Sequence, residues 1–231
     1  KAVENAGVRF KDAKDVLTGF QSDDLKGKQQ EFQQADGILA KAGVALSNPS
    51  LIANTVAESV PLMGAGAVPA RAVMALAPKI GAMGAGAIGE GVAGAGSAGE
   101  QIRQETADGL LTGKQAALGA ASGASTALFG AAGGKLAKRL GIGDVDTMLA
   151  KGSTEVAQVA GQQPKGAIRR MGEAAVSEGL LEELPQSVSE QALQNVALDR
   201  PVTQGLEDAA VMGTLSGGLI GAGAGAISRP A

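Results

Sequence analysis

Two carboxylates in the last third of the chain have a spacing that suits acid–base chemistry. Glu178 and Glu182 are four residues apart, and Glu183 follows directly. Because residues four apart share one face of a helix, such a pair could divide the general-acid and nucleophile duties of glycoside cleavage. The alternative is an ordinary solvated acidic face. We favour the solvated face, because the sequence offers no aromatic platform for a sugar ring beside these residues.

Glu58 and Ser59 form a second candidate for hydrolytic chemistry. The dipeptide resembles the Glu-Ser signature of lytic transglycosylases, but that family's motif continues into Gly-Leu-Met-Gln with aromatic residues nearby. Here Pro61, Leu62 and Met63 follow instead. A murein-cleaving segment, which would depend on Glu58 or Glu182, is therefore the third of three functional alternatives.

The composition removes most other catalytic chemistry. The 231 residues include no His, Cys, Trp or Tyr, and only four Phe. Histidine is the usual acid, base and metal ligand at neutral pH, and thiolates are the usual soft ligands and activated nucleophiles. We therefore predict a chain that is not an enzyme and that has no metal site and no cofactor. The glycine-rich runs also lack the neighbouring Lys and Ser or Thr that a phosphate-binding loop needs.

Two compact basic clusters could contact phosphate groups of double-stranded DNA or of anionic lipids. Their side chains are Lys135, Lys138 and Arg139 in the first cluster and Lys165, Arg169 and Arg170 in the second. A simpler interpretation is compensation of helix dipoles together with solubility. The net charge of −3 is too small to predict wholesale nucleic-acid binding.

Glycine spacing is the strongest pattern in the sequence. Four glycines recur at every fourth residue inside 209–227, a stretch without charge, and two further pairs lie in the uncharged stretch 115–134. Such an interval leaves a smooth groove on one helical face, where another backbone can approach closely. We expect helix packing and self-association at these positions: Gly213, Gly217, Gly221, Gly225, Gly119, Gly123, Gly130 and Gly134. Lipid and a protein interior both remain open as their surroundings.

The elements that carry these residues are all predicted to be helices. Large apolar side chains are scarce, so only a thin core can be buried, and we predict an all-α fold of extended helical hairpins or a bundle. Heptad spacing predicts two antiparallel helices over 1–47, the second of them over 25–46. Asn48 is the predicted N-cap of the next helix, which should end before Pro61 because proline lacks a donor.

Later helices carry recognisable start signals. Thr112 and Gln115 form a capping box, and Thr203 is the predicted cap of the last helix. Between them an amphipathic helix is predicted over 167–198, kinked at Pro185, with an apolar face formed by Leu181, Leu184, Val188, Ala192 and Val196. The predicted segments are 1–47, 48–111, 112–141, 142–166 and 167–231. Similar patterns around residues 100 and 190 indicate two loosely repeated hairpin units.

The C-terminal third resembles the large internal virion proteins, or DNA-ejection proteins, of short-tailed bacteriophages. Residues 53–69 and the Ala- and Gly-rich middle of the chain share only the general character of that family. Because the chain begins at Lys1 without an initiator Met, we expect a segment of a longer protein. The residues that carry the resemblance are Glu178, Gly179, Leu180, Leu181, Glu182, Glu183, Leu184, Pro185, Gln186 and Ser187, then Glu190, Gln191, Asn195, Asp199, Arg200 and Pro201, then Ala209, Ala210, Met212 and Gly213.

The resemblance implies a mostly helical protein that is stored in the capsid and expelled ahead of the genome. On that basis we expect a structural segment that oligomerises to help form a conduit for viral DNA across the bacterial envelope. The implied partners are copies of itself, other internal virion proteins, double-stranded DNA in a lumen and the bacterial inner membrane. The implied locations are the capsid interior before infection and the host periplasm or inner membrane afterwards. The alternative is a soluble helical adaptor that docks other virion proteins without contacting lipid.

Overall fold

The computed structural model describes residues 22–140, 150 and 166–227. This part of the chain contains eight α-helices and no β-strand, so the predicted all-α class is confirmed. The helices are α1 (Asp23–Gln34), α2 (Ile38–Ser47), α3 (Pro49–Leu76), α4 (Gly81–Glu105), α5 (Gly113–Leu140), α6 (Ala167–Val176), α7 (Leu184–Ala197) and α8 (Leu206–Ile227). A 3-10 helix, Pro78–Ile80, precedes α4, and a π-helix, Ser177–Glu183, joins α6 to α7. Contacts divide the chain into two units, Lys1–Leu51 and Ile52–Ala231.

Within the first unit, the chain turns between α1 and α2 at Gly37, whose φ of 80° favours glycine. The helix predicted over 25–46 is therefore interrupted, and Leu39 of its predicted apolar seam is 89% exposed. Phe32 and Ala45 are buried. The Lys41 ammonium donates to the Phe32 carbonyl at 3.2 Å and lies 5.2 Å from the ring centroid. This lysine thus satisfies an orphan carbonyl at the end of α1 and adds a cation–π contact.

The third helix, α3, is longer than the sequence predicts. It begins directly after Asn48, as expected, but the Asn48 amide donates back to the Val44 carbonyl at 2.9 Å instead of capping α3. The helix then continues through Pro61 to Leu76, so the prediction that it ends before Pro61 is wrong. An interior proline costs about 3 kcal/mol but does not forbid a helix. Packing of the later turns of α3 against Gly89 of α4 offsets that cost.

Helices α4 and α5 form the most extensive helix pair of the second unit. They run antiparallel, because the residues that face each other rise by four in number along α4 while they fall by four along α5. The capping box at the start of α5 is confirmed: the Gln115 N–H donates to Thr112 Oγ1 at 3.2 Å, and the Thr112 N–H donates to Gln115 Oε1 at 2.9 Å. The facing pairs are Gly91 with Ala127, Ala95 with Gly123, and Gly99 with Gly119.

The rest of the second unit is a long helical segment, α6 to α7, against which α8 packs antiparallel. The kink predicted at Pro185 takes another form: the seven residues before α7 widen into the π-helix, in which the Leu184 N–H donates to the Gly179 carbonyl. The last helix begins at Leu206 and not after Thr203, because Gly205, with a φ of 73°, makes the turn into α8. Glu207 lies in its first turn, as predicted.

Candidate functional site: an acid-lined cavity

A cavity of about 280 Å³ lies among the helices of the second unit. Its walls come from α3, α4, α5, α7, α8 and the π-helix. Much of the wall is alanine and glycine, with Met212 and Ile220 as the largest apolar side chains. The polar residues that line it are Thr55, Glu90, Thr126, Glu178, Glu182, Glu183, Gln186, Ser187, Glu190 and Ser216.

The acidic side chains reach this cavity because of their spacing. Glu178, Glu182, Gln186 and Glu190 follow one another at intervals of four residues. In an α-helix, positions four apart drift by about 40° per step, since 3.6 residues make one turn. The π-helix over Ser177–Glu183 is wider, so it reduces that drift and keeps the four side chains on one side. Such a wide turn inside a helix is frequent at functional sites.

The predicted solvated acidic face is therefore wrong. Glu178 is 6% exposed and Glu182 is 3% exposed, whereas Leu181 of the predicted apolar face is 46% exposed. The segment points these acids inward and two of its leucines, Leu180 and Leu181, outward. The physical reason lies in the helices that face this segment. Their glycines leave gaps, and the long glutamate side chains pack into these gaps.

Glycines on the neighbouring helices make these gaps. A Cβ at Gly221 would lie 2.6 Å from Cγ of Glu178, and a Cβ at Gly217 would lie 2.7 Å from Cβ of Glu183. On α5, a Cβ at Gly133 would meet the carboxylate of Glu182. Three acidic side chains thus each rest over a glycine that belongs to another helix. The apolar stems of the glutamates provide the packing, and the carboxyl groups are carried into the interior.

Hydrogen bonds join polar side chains from different helices in the wall of the cavity. Thr126 of α5 donates to Oε1 of Glu190 at 2.8 Å, and the amide nitrogen of Gln186 donates to Oε1 of Glu90 at 2.9 Å. Beside them, the hydroxyls of Ser125 and Ser189 are 3.1 Å apart. Burial raises the pKa of the Glu190 carboxyl above its usual range, and the hydrogen bond from Thr126 offsets part of that rise.

This arrangement differs from the glycosidase pair that the sequence offered. A glycosidase needs its two carboxyl groups on either side of a sugar in an open cleft, whereas Glu178 and Glu182 are both buried. Among the described residues, no group of three or more acidic side chains could hold a metal ion. Glu58 and Ser59 lie in α3, and their side chains are outside the described part of the structure. The cavity can accept hydrogen bonds and positive charge from a guest.

Sequence reasoning missed Glu90, Thr126 and Gln186 as members of this site. The four-residue interval from Glu178 to Glu190 was the available signal, since it matches the interval of the glycines on α8. The sequence does not show whether the acidic side or the leucine side of this helical segment faces the neighbouring helices. That choice depends on what the partner helix presents.

The predicted packing glycines lie against helices of the same chain wherever their contacts are described. Gly119 and Gly123 face α4, and a Cβ at Gly119 would lie 3.3 Å from the Cα of Gly99. Gly213 faces Ser187, and a Cβ there would lie 2.7 Å from the serine Cβ. Gly217 and Gly221 hold the glutamate stems, Gly130 and Gly134 are buried positions of α5, and Gly225 lies in α8 beyond the described contacts. Packing between copies stays a prediction for all eight.

The two predicted basic clusters are described to different extents. Lys135, Lys138 and Arg139 are exposed near the end of α5, where cations complement the helix dipole. Arg169 of the second cluster is exposed and donates to Glu173 at 2.8 Å. Lys165 lies outside the described residues, and Arg170 belongs to α6 with its side chain outside the described part. Contact of either cluster with DNA or lipid stays a prediction.

Among the described helices, none alone has the length and hydropathy of a membrane span. Two helical stretches, Gly64–Leu76 and Pro78–Glu105, pass together on length and composition, with a bend of 107° between them.

Comparison with known proteins gives this chain no relative: no family model matches it, and neither does any curated protein or solved structure.

Proposed function

We propose that this chain is a structural, non-catalytic segment of a bacteriophage DNA-ejection protein. Its copies would associate, together with other internal virion proteins, to help form a conduit for viral DNA across the bacterial envelope. The source of the phage assignment is the sequence resemblance in the last third of the chain. The support for self-association comes from the outer surface of the second unit.

The observation that supports self-association is a row of exposed residues on the outer face of α5. An uncharged stripe of exposed positions runs along it for about four turns, and Leu128, its one large side chain, is 71% exposed. Alanines on both sides of that leucine would let a second helix approach closely, and Leu128 would bury the largest apolar side chain of the contact. The stripe, here called the α5 face, consists of Ala117, Ala121, Ala124, Leu128 and Ala132.

Other helices of the second unit also expose apolar side chains. On α4, Ile88 and Val92 are one turn apart and are 38% and 55% exposed. On the π-helix, Leu180 and Leu181 are 47% and 46% exposed. Single exposed apolar residues are ordinary, but successive turns of them favour contact with another surface.

The charge at the end of the α5 face fits the proposed conduit. Lys135, Lys138 and Arg139 are exposed where the uncharged stripe ends. In an oligomer built on this face, symmetry would repeat that basic group in every copy, and a ring of cations could contact the phosphates of passing DNA. The proposed locations are the capsid interior before infection and the host periplasm or inner membrane after ejection.

The second candidate is a soluble helical adaptor that docks other virion proteins and never contacts lipid. One specific observation favours it: the space beside Gly213, Gly217 and Gly221 of α8 is filled by side chains of the same chain. A groove that is already occupied is closed to lipid-phase helix packing.

Two measurements test the proposal. Sedimentation velocity should show a defined oligomer of the purified chain, and liposomes loaded with a dye should leak when the chain is added. An oligomer without leakage, released from membranes by alkaline carbonate, would support the adaptor. A chain that is monomeric and causes no leakage would contradict the conduit.

A further inference from the structure

We propose that the acid-lined cavity binds a small organic cation, namely a protonated primary amine on a short alkyl chain. The site consists of acceptors from α7, with Gln186 and Glu190 one turn apart, and of apolar walls from α3, α4 and α8. This binding activity is separate from the proposed conduit and does not require it.

An acceptor without a donor points to a ligand. The Gln186 side chain lines the cavity and is only 9% exposed, and its Oε1 accepts no hydrogen bond from any described residue. The amide nitrogen of the same side chain donates to Glu90 at 2.9 Å, and this bond determines which end of the amide is the oxygen. A buried acceptor is normally satisfied, and because Gln186 belongs to the cavity wall, a donor held in the cavity would satisfy this oxygen.

The carboxylate of Glu190 provides the charge at the same place. Glu190 lies four residues after Gln186 and lines the same cavity. Its Oε1 accepts from the neutral hydroxyl of Thr126 at 2.8 Å. A guest that is both a donor and a cation would therefore satisfy Gln186 and neutralise Glu190 together.

Chemistry and size select the class of cation. An ammonium group has three donors and no acceptor, which matches an environment of carboxylate and amide oxygens. Described acidic residues do not form a metal-holding group, which disfavours a bare divalent ion. The wall of Ala67, Ala93, Met212 and Ile220 suits an alkyl chain. The volume of about 280 Å³ is near the lower end for ligand pockets, so the guest is small.

The test is calorimetric titration of the full 231-residue chain with n-butylammonium chloride. Potassium chloride at the same ionic strength is the control for screening. We expect saturable binding that is about tenfold weaker in Gln186→Leu and in Glu190→Gln, because each loses one charge-assisted contact. Glu207→Gln, which removes an exposed acid outside the cavity, should bind like the wild type.

Two results would overturn the proposal. One is the absence of saturable binding, which would mean that water alone satisfies the Gln186 oxygen. The other is binding of equal strength in the wild type and in both cavity variants, or an equal heat from potassium chloride. Because Glu190→Gln removes only a buried charge, it keeps the test valid even if Gln186→Leu does not fold.

Discussion

The carboxylate of Glu182 occupies the place where a side chain at Gly133 would begin. A Cβ at Gly133 would lie 3.2 Å from Cβ of Glu182 and 2.8 Å from its Cδ, and the second distance is closer than real side chains approach each other. Gly133 belongs to α5 and Glu182 to the π-helix, so this contact joins the two helical pairs of the second unit. The glycine is required here for its missing side chain.

Gly133→Ala should therefore destabilise the chain although alanine is the better helix former. Overpacking in a filled interior costs about 1–3 kcal/mol, against a gain of about 1 kcal/mol in helix propensity. Urea denaturation measures the difference. Combining Gly133→Ala with Glu182→Ala should recover part of the loss, because the second change removes the clashing carboxylate. Equal losses with and without Glu182 would show that the two residues do not interact.

The α8 helix contains its own matched control. At Gly217 a Cβ would lie 2.7 Å from that of Glu183, whereas a Cβ at Gly223 would have nothing within 4 Å. Gly217→Ala should lower the free energy of unfolding by about 1–3 kcal/mol. Gly223→Ala should raise it by up to about 1 kcal/mol, because only helix propensity changes. The same sign for both variants would contradict the packing of α8 described here.

Glu190→Gln should stabilise the chain, and the gain should grow with pH. Burial raises the folded-state pKa of Glu190, so the stability of the wild type falls as pH rises from the unfolded pKa through the folded pKa. The other acids that line the same cavity are Glu90 on α4 and Glu178, Glu182 and Glu183 on the π-helix. Glutamine removes this titration and keeps the acceptor for Thr126.

Thermal unfolding at several values of pH tests the Glu190 prediction. Glu31→Gln, at an exposed position of α1, is the control and should follow the wild type. A Glu190→Gln curve parallel to that of the wild type across the range would refute a raised pKa.

Asn195 should be essential for the turn between α7 and α8. Its side chain is 0% exposed, and its amide nitrogen donates to the carbonyls of Val202 at 3.0 Å and Gln204 at 2.7 Å. Asn195→Ala removes both hydrogen bonds, and each such bond contributes about 0.5–1.5 kcal/mol to stability. Urea denaturation should show this loss, while Gln194→Ala, whose amide makes one long bond of 3.4 Å to Glu105, should cost far less.

The parts of the fold that depend on neighbouring residues could be predicted from the sequence. The Thr112 capping box and the acidic first turn of α8 are local arrangements of a few residues, and both are confirmed. The all-α class was predicted from the scarcity of large apolar side chains and from the helical spacing of the apolar residues. Each of these predictions needed no knowledge of a partner helix.

The parts that depend on distant residues could not be predicted in this way. Which side of 167–198 faces inward was decided by Gly133 and Gly217, which are far away in sequence and leave room for carboxylates. The continuation of α3 through Pro61 likewise depends on contact with α4. Periodicity identifies the stripes on a helix, but only the partner surface determines which stripe is buried.

Sedimentation velocity of Leu128→Glu beside the wild type tests the central claim most directly, namely that the α5 face joins copies of this chain. We predict a defined oligomer for the wild type and a monomer for Leu128→Glu, since a charge inside an apolar contact opposes burial. Circular dichroism should show equal helix content, and Leu110→Glu, which changes an exposed loop leucine, should keep the oligomer. A wild type that stays monomeric, or an oligomer that survives Leu128→Glu, would contradict the account.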